Sequence, residues 1–148
     1  MACPFFMPAE IIVQKGWIHS PRLPLGALYR GICYAGAEPF EPPASALETA
    51  CNCGYARGRC ERFPKDAPKD APDAVRFSIR SDAGGKLDLI YILERNHAPA
   101  KAEPLEYSLT ERRFLGEPGR LLAAQARAYI ESYLRPAGED RLSRAQTS

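Results

Sequence analysis

No stretch of this sequence approaches the ~20 consecutive apolar residues of a membrane-spanning helix. Neither sign of charge dominates. Twenty Lys and Arg against 18 Asp and Glu leave a formal net charge of +2, too small to argue for nucleic acid or a membrane surface as partner. There is no GxGxxG, no P-loop, no GxSxG and no HExxH, so no phosphate cradle or catalytic constellation of those kinds is encoded. The carboxylates show no paired arrangement suited to acid–base work. The opening residues, MACPFFMPAEIIVQKGW, lack a basic region and are interrupted by Pro4, Pro8 and Glu10, which makes a poor signal peptide. The compartment expected on these grounds is the reducing cytoplasm, where disulfides are disfavoured. CxxC is missing as well, the spacing that makes zinc ribbons and ferredoxins legible.

What is abundant is proline, 14 residues, most of them before residue 73, and cysteine, five residues, three of which lie in CNCGYARGRCERFP (51–64). The proline-rich half should be rich in loops. Residues 1–25 read as irregular, with a short strand at Ile11-Ile12-Val13. GALYRGICYAG (26–36) reads as a strand with Cys33 near its end. Ser45 and Glu48 match a capping box and predict a short helix over 46–53, ended by Gly54. KDAPKDAPD (65–73) is a tandem repeat with proline every fourth residue, hence an exposed loop.

The second half is more regular. AVRFSIRS alternates as a half-buried strand, DAGG (82–85) is a turn, and KLDLIYILER (86–95) is a second strand. Leu87, Leu89, Tyr91 and Leu93 share one face, with Ile90 and Ile92 on the other, as in a central strand covered on both sides. NHAPAKAEP reads as a loop and LEYSLTE (105–111) as a third strand. A helix near 119–135 carries Leu122, Ala126, Tyr129, Ile130 and Tyr133 on one apolar stripe and stops at Pro136. The fold class is α+β: a small antiparallel meander with a short mid-chain helix and a C-terminal helix, as a single domain over 1–136, followed by a disordered tail, 137–148.

The odd cysteine count and the compartment favour metal or redox chemistry over a disulfide framework. Four thiolates suit zinc or an iron–sulfur cluster such as 4Fe–4S, since both metals accept soft sulfur donors. The expected ligands are Cys3, Cys33, Cys51 and Cys60. Cys53 is the spare, because on a helix ended at residue 54 Cys51 lies one turn after Leu47 on the inward face, whereas Cys53 falls about 200° away from Cys51. The lean is to the cluster, because the missing CxxC weakens zinc more than iron. Two plainer readings stand beside it, buried unreactive thiols and a redox pair. Arg57, Arg59 and Arg62 would either offset the charge of a thiolate site, lower the pKa of Cys60 or form a solvated basic loop. His19 and His97 sit in loops and read as exposed rather than ligating.

CPFF (3–6), PRLPLG (21–26) and CNCGYARGRCERFP followed by DAVRFSI resemble a group of small uncharacterised bacterial proteins with a CPF…C…CNxGYA…CxxFP cysteine pattern. Residue by residue, the resemblance implies Cys3, Cys33, Cys51 and Cys60, with Cys53 as an extra. It implies no activity. The functional expectation is a small cytoplasmic metal-binding protein, with a structural, electron-transfer or redox-sensing role and no catalysis. A metal-free protein- or nucleic-acid-interaction domain and a thiol-dependent enzyme using Cys60 or Cys51 are the rival readings. A protein partner is left open, nucleic acid is disfavoured and no membrane association is expected.

Loop closure depends weakly on length, about 0.6 kcal/mol per doubling. Deleting Lys69 to Pro72, one repeat of the KDAP tract, is therefore expected to move the melting temperature by no more than a few degrees, on the scale of ~1 kcal/mol, in a thermal scan.

Overall fold

Alternating apolar residues in the second half of the chain build its largest element. In the computed structural model, which describes residues 1–12, 24–53, 55–64 and 72–134, β3 (Ala74–Ala83), β4 (Lys86–Arg95), β5 (Ala98–Ser108) and β6 (Arg113–Phe114) form an antiparallel four-stranded sheet in the order β3-β4-β5-β6. Before it, β1 (Phe6–Ile11) pairs antiparallel with β2 (Tyr29–Cys33) in a separate two-stranded sheet. A short helix, α1 (Ala44–Ala46), runs on into a π-helical turn, Leu47–Cys51. The C-terminal helix, α2, spans Arg120–Leu134. This is an α+β fold closed by a C-terminal helix, and among the described residues no helix is long and apolar enough to cross a membrane.

Register places the core. Val75, Phe77 and Ile79 of β3 stand opposite Leu93, Tyr91 and Leu89 of β4, and Leu87 stands opposite Tyr107 of β5. Leu87 and Leu89 are fully buried, and Tyr107 packs edge-on against Phe114. α2 covers this face. Ala126 and Ile130 are buried, and the Tyr129 ring lies 5.8 Å from that of Phe77. Ile90 and Ile92, on the opposite face of β4, are only half-buried. The strand is thus central in the sheet without being equally covered on both sides.

Several local expectations are corrected. The region read as irregular contains β1. Its alternation is broken by a bulge between Pro8 and Glu10, which hides the period of two. Gly31 permits the approach of β2, because a Cβ there would run into the Met7 carbonyl. The capping box does not form. Pro43, extended at φ −69° and ψ 162°, is the N-cap, with no side-chain cap, and Ser45 lies inside the helix, where its carbonyl accepts the Thr49 hydroxyl. The Pro42-Pro43 pair sets the helix start earlier than Ser45 does.

The segment 96–104, read as a loop, is a two-residue turn and the first part of β5. Asn96 and His97 both adopt positive φ, 53° and 61°, the mirror-image turn that matches strand twist. Pro99 and Pro104 are compatible with a strand here because over 98–105 β5 has only β4 beside it among the described residues. Tyr133, placed on the apolar stripe of α2, is 45% exposed and donates its hydroxyl to Asp82. Val13, Gly54, residues 65–71 of the KDAP tract, Pro136 and the tail lie outside the described residues.

Ile130 is 1% exposed at the contact of α2 with the core. Ile130→Ala is expected to cost roughly 2–5 kcal/mol, measured by urea denaturation.

Candidate metal centre

The N-terminal segment ties cysteine-bearing segments to one another. Ala2 forms a bridge with Val75, its N–H donating to the Val75 carbonyl at 2.9 Å and its carbonyl accepting the Val75 N–H at 3.0 Å. The Cys3 N–H donates to the Cys51 carbonyl at 3.0 Å, which sets the start of the chain against the π-helical turn. Pro4 then leads a tight turn in which the Phe6 N–H returns to the Cys3 carbonyl at 3.2 Å. Phe6 opens β1 and pairs with Cys33 at the end of β2. Cys60 follows a turn in which its own N–H donates to the Ala56 carbonyl at 2.7 Å. Below it, the Phe63 ring packs edge-on against Phe5 of the Cys3 turn, with 5.5 Å between centroids.

Cys3, Cys33 and Cys51 are buried, and Cys60 is half-exposed. Their sulfurs share one electrostatic neighbourhood. Burial pushes the Cys3 thiol up to about 12, and Cys33 and Cys60 add to the rise. Burial likewise pushes Cys51 up to about 12, with further contributions from Cys3, Cys33 and Cys60. Backbone N–H groups act on two of the sulfurs. Those of Phe5 and Phe6 oppose the rise at Cys3, and the Ala35 N–H lies 3.5 Å from the Cys33 sulfur. Such donors favour the thiolate form of the sulfur they meet.

Cys53 stands apart from this group. Its thiol donates to the Glu48 carbonyl at 2.7 Å, and the charges it feels are those of the amino terminus, Arg59 and Glu48. As they stand, the four thiols are neighbours and not a closed cage: among the described residues, no group of three or more His, Cys, Asp or Glu is positioned to hold a metal ion.

Buried polar side chains anchor the same segments. Asn52, fully buried, accepts the Tyr29 N–H at 2.9 Å and donates to the carbonyls of Tyr29 at 2.8 Å and Leu47 at 3.1 Å, so the residue after Cys51 is tied to β2. Gln125 of α2 donates to the Cys3 and Phe6 carbonyls, both at 2.7 Å. Asp73 is buried against Arg57 and the Asn96 N–H, which ties the loop leading to Cys60 to the β4–β5 turn. Ser108, the remaining buried polar residue described, accepts the Glu111 N–H and touches no cysteine segment. These anchors were not legible in the sequence. A lone Asn or Gln carries no period or motif, and only a buried position gives it a role.

The arginines around Cys60 are differently employed. Arg57 pairs with Asp73 and lies over the Phe63 ring, and Arg62 stacks on Phe40 at 3.7 Å. Arg59 is the one whose charge reaches Cys53. His97 stacks on Tyr55 with centroids 4.0 Å apart, and its N–H donates to the Tyr55 hydroxyl, so it belongs to the hairpin turn. His19 lies outside the described residues. A groove of about 440 Å³, lined by Met7, Tyr34, Gly119, Arg120, Leu121 and Leu122, includes no cysteine in its wall. No family model matches the chain, and no curated protein or solved structure matches it.

Burial works to raise the Asp73 pKa, but the Asn96 N–H and the Arg57 guanidinium outweigh it and hold the carboxyl below its ordinary value. A depressed folded pKa stabilises the fold above the unfolded value, about 3.9, and that stability is lost as pH falls through the folded value. Asp73→Asn is expected to cost about 1–3 kcal/mol at pH 7. The difference from wild type should shrink below about pH 4. Urea denaturation across a pH series checks both.

Proposed function

We propose that this chain is a metal-binding protein whose site is formed by the thiolates of Cys3, Cys33, Cys51 and Cys60. The reading is supported by the hydrogen bonds that tie the Cys3, Cys51 and Cys33 segments together and by the mutual influence of these thiols and Cys60, in which Cys53 has no part. Four mutually repelling thiolates with little access to water are costly without a cation among them. A metal removes that cost by taking the place of the protons. The donor set suits zinc or an iron–sulfur cluster, and we favour the cluster. The ligands come from dispersed segments with no CxxC knuckle, and the N–H donors on Cys3 and Cys33 are of the kind that set cluster potentials.

When bound, a cluster would supply one-electron chemistry, whereas zinc would supply a structural crosslink. The chain's own part is to hold the sulfurs. The Cys3 turn is closed by the Phe6 N–H on the Cys3 carbonyl, β2 ends at Cys33 with the Ala35 N–H turned back to its sulfur, and the π-helical turn carries Cys51 and Leu47, with both side chains buried. Cys60, the half-exposed member, is the corner of the site open to solvent.

A thiol-dependent enzyme acting through Cys51 is less well supported. Burial pushes that thiol up to about 12, which leaves almost no thiolate at neutral pH.

The test is metal and acid-labile sulfide per protein, with a visible spectrum, in anaerobically purified wild type and five Cys→Ser variants. Serine at residue 3, 33, 51 or 60 is expected to lose the metal and lower the melting temperature, and Cys53→Ser is expected to keep it. Loss in Cys53→Ser with retention in Cys51→Ser would exchange those two assignments. Full retention in all five would sink the reading.

A further inference from the structure

Resting on the four-thiolate reading, we propose that Gln125 is a positioning residue for the Cys3 ligand, acting from α2 through the backbone of the Cys3–Phe6 turn. The side chain is 1% exposed, in a helix whose other buried residues are Ala126, Ala128 and Ile130. A carboxamide in such a place is costly unless its hydrogen bonds are made. Its Nε2 has two hydrogens, and it donates to two carbonyls, those of Cys3 and Phe6, at 2.7 Å each. Those carbonyls belong to the first and last residues of the turn that the Phe6 N–H closes on the Cys3 carbonyl at 3.2 Å.

The geometry follows from that. The two bonds hold the peptide planes at either end of the turn, Cys3–Pro4 and Phe6–Met7, against α2, which fixes the turn and the Cys3 backbone from which the sulfur extends. Gln125 touches no sulfur itself. Its effect on the site passes through the turn, as outer hydrogen-bond partners orient the ligands of metal sites.

Gln125 also fastens α2 to the N-terminal segment, so a loss of stability alone would not separate the two roles. Ser108→Ala provides the comparison, because it removes a buried polar side chain that is not wired to a cysteine segment. The experiment uses the full chain purified anaerobically. Metal content is measured first, followed by the rate at which each protein gives up its metal to excess EDTA.

Gln125→Met, which keeps the volume and removes both donors, is expected to release metal at least about tenfold faster than wild type. Gln125→Asn, which keeps the amide on a shorter stem, should do the same and guards against a Met variant that does not fold. Ser108→Ala should stay within about twofold of wild type, since its side chain is no partner of the site. Release from both Gln125 variants no faster than from Ser108→Ala, at equal loss of melting temperature, overturns the inference while the metal reading stands. A wild-type protein without metal overturns both.

Discussion

The hydrogen bonding of the first few residues is the constraint on which the arrangement depends. Between Ala2 and Phe6 the backbone bonds to β3 through Val75, to the π-helical turn through Cys51, to α2 through Gln125 and to β2 through Cys33 and Tyr34. Each is a short bond to a separate element. Together they fix Cys3 relative to Cys33 and Cys51. Among the described residues, this segment alone joins the two-stranded sheet, the mid-chain turn and the large sheet by backbone hydrogen bonds.

The same economy governs the buried polar groups. A polar side chain in a core is retained where its hydrogen bonds are satisfied, and in this molecule Asn52, Asp73 and Gln125 satisfy theirs on segments that carry or lead to cysteines. Arg57 shows how the chemistry of a local stretch can mislead. Beside Cys60 in sequence it reads as a charge available to a thiolate, yet the buried Asp73 carboxylate, brought near by the β4–β5 turn, takes it instead. Burial raises the Cys3 and Cys51 thiols, and the Ala35 N–H lies beside the Cys33 sulfur.

Much of the meander was legible because Val75-Phe77-Ile79 and Leu87-Leu89-Tyr91 repeat with the period of a strand, and α2 because Leu122, Ala126 and Ile130 repeat with that of a helix. β1 was not, since a bulge and Pro8 erase its alternation. Nor was the first half of β5, whose prolines ordinarily argue for a loop. Its strand character comes from β4, which continues past it and folds back at Asn96 and His97. The capping box at Ser45 was a local signal overridden by a stronger one, the fixed backbone of Pro42 and Pro43.

For the candidate site, the sequence by itself determined only the supply of donors, five cysteines in a near-neutral chain. In place of the α-helix expected over 46–53, Cys51 ends a π-helical turn and Cys53 lies beyond it with its thiol on the Glu48 carbonyl. The tertiary structure alone decided how the segments that carry Cys3, Cys33, Cys51 and Cys60 are tied to one another, and which buried side chains hold them. Spacing along a chain carries no information about approach in space. Here that approach rests on single hydrogen bonds between segments far apart in sequence, such as Cys3 to Cys51, Asn52 to Tyr29 and Gln125 to Cys3.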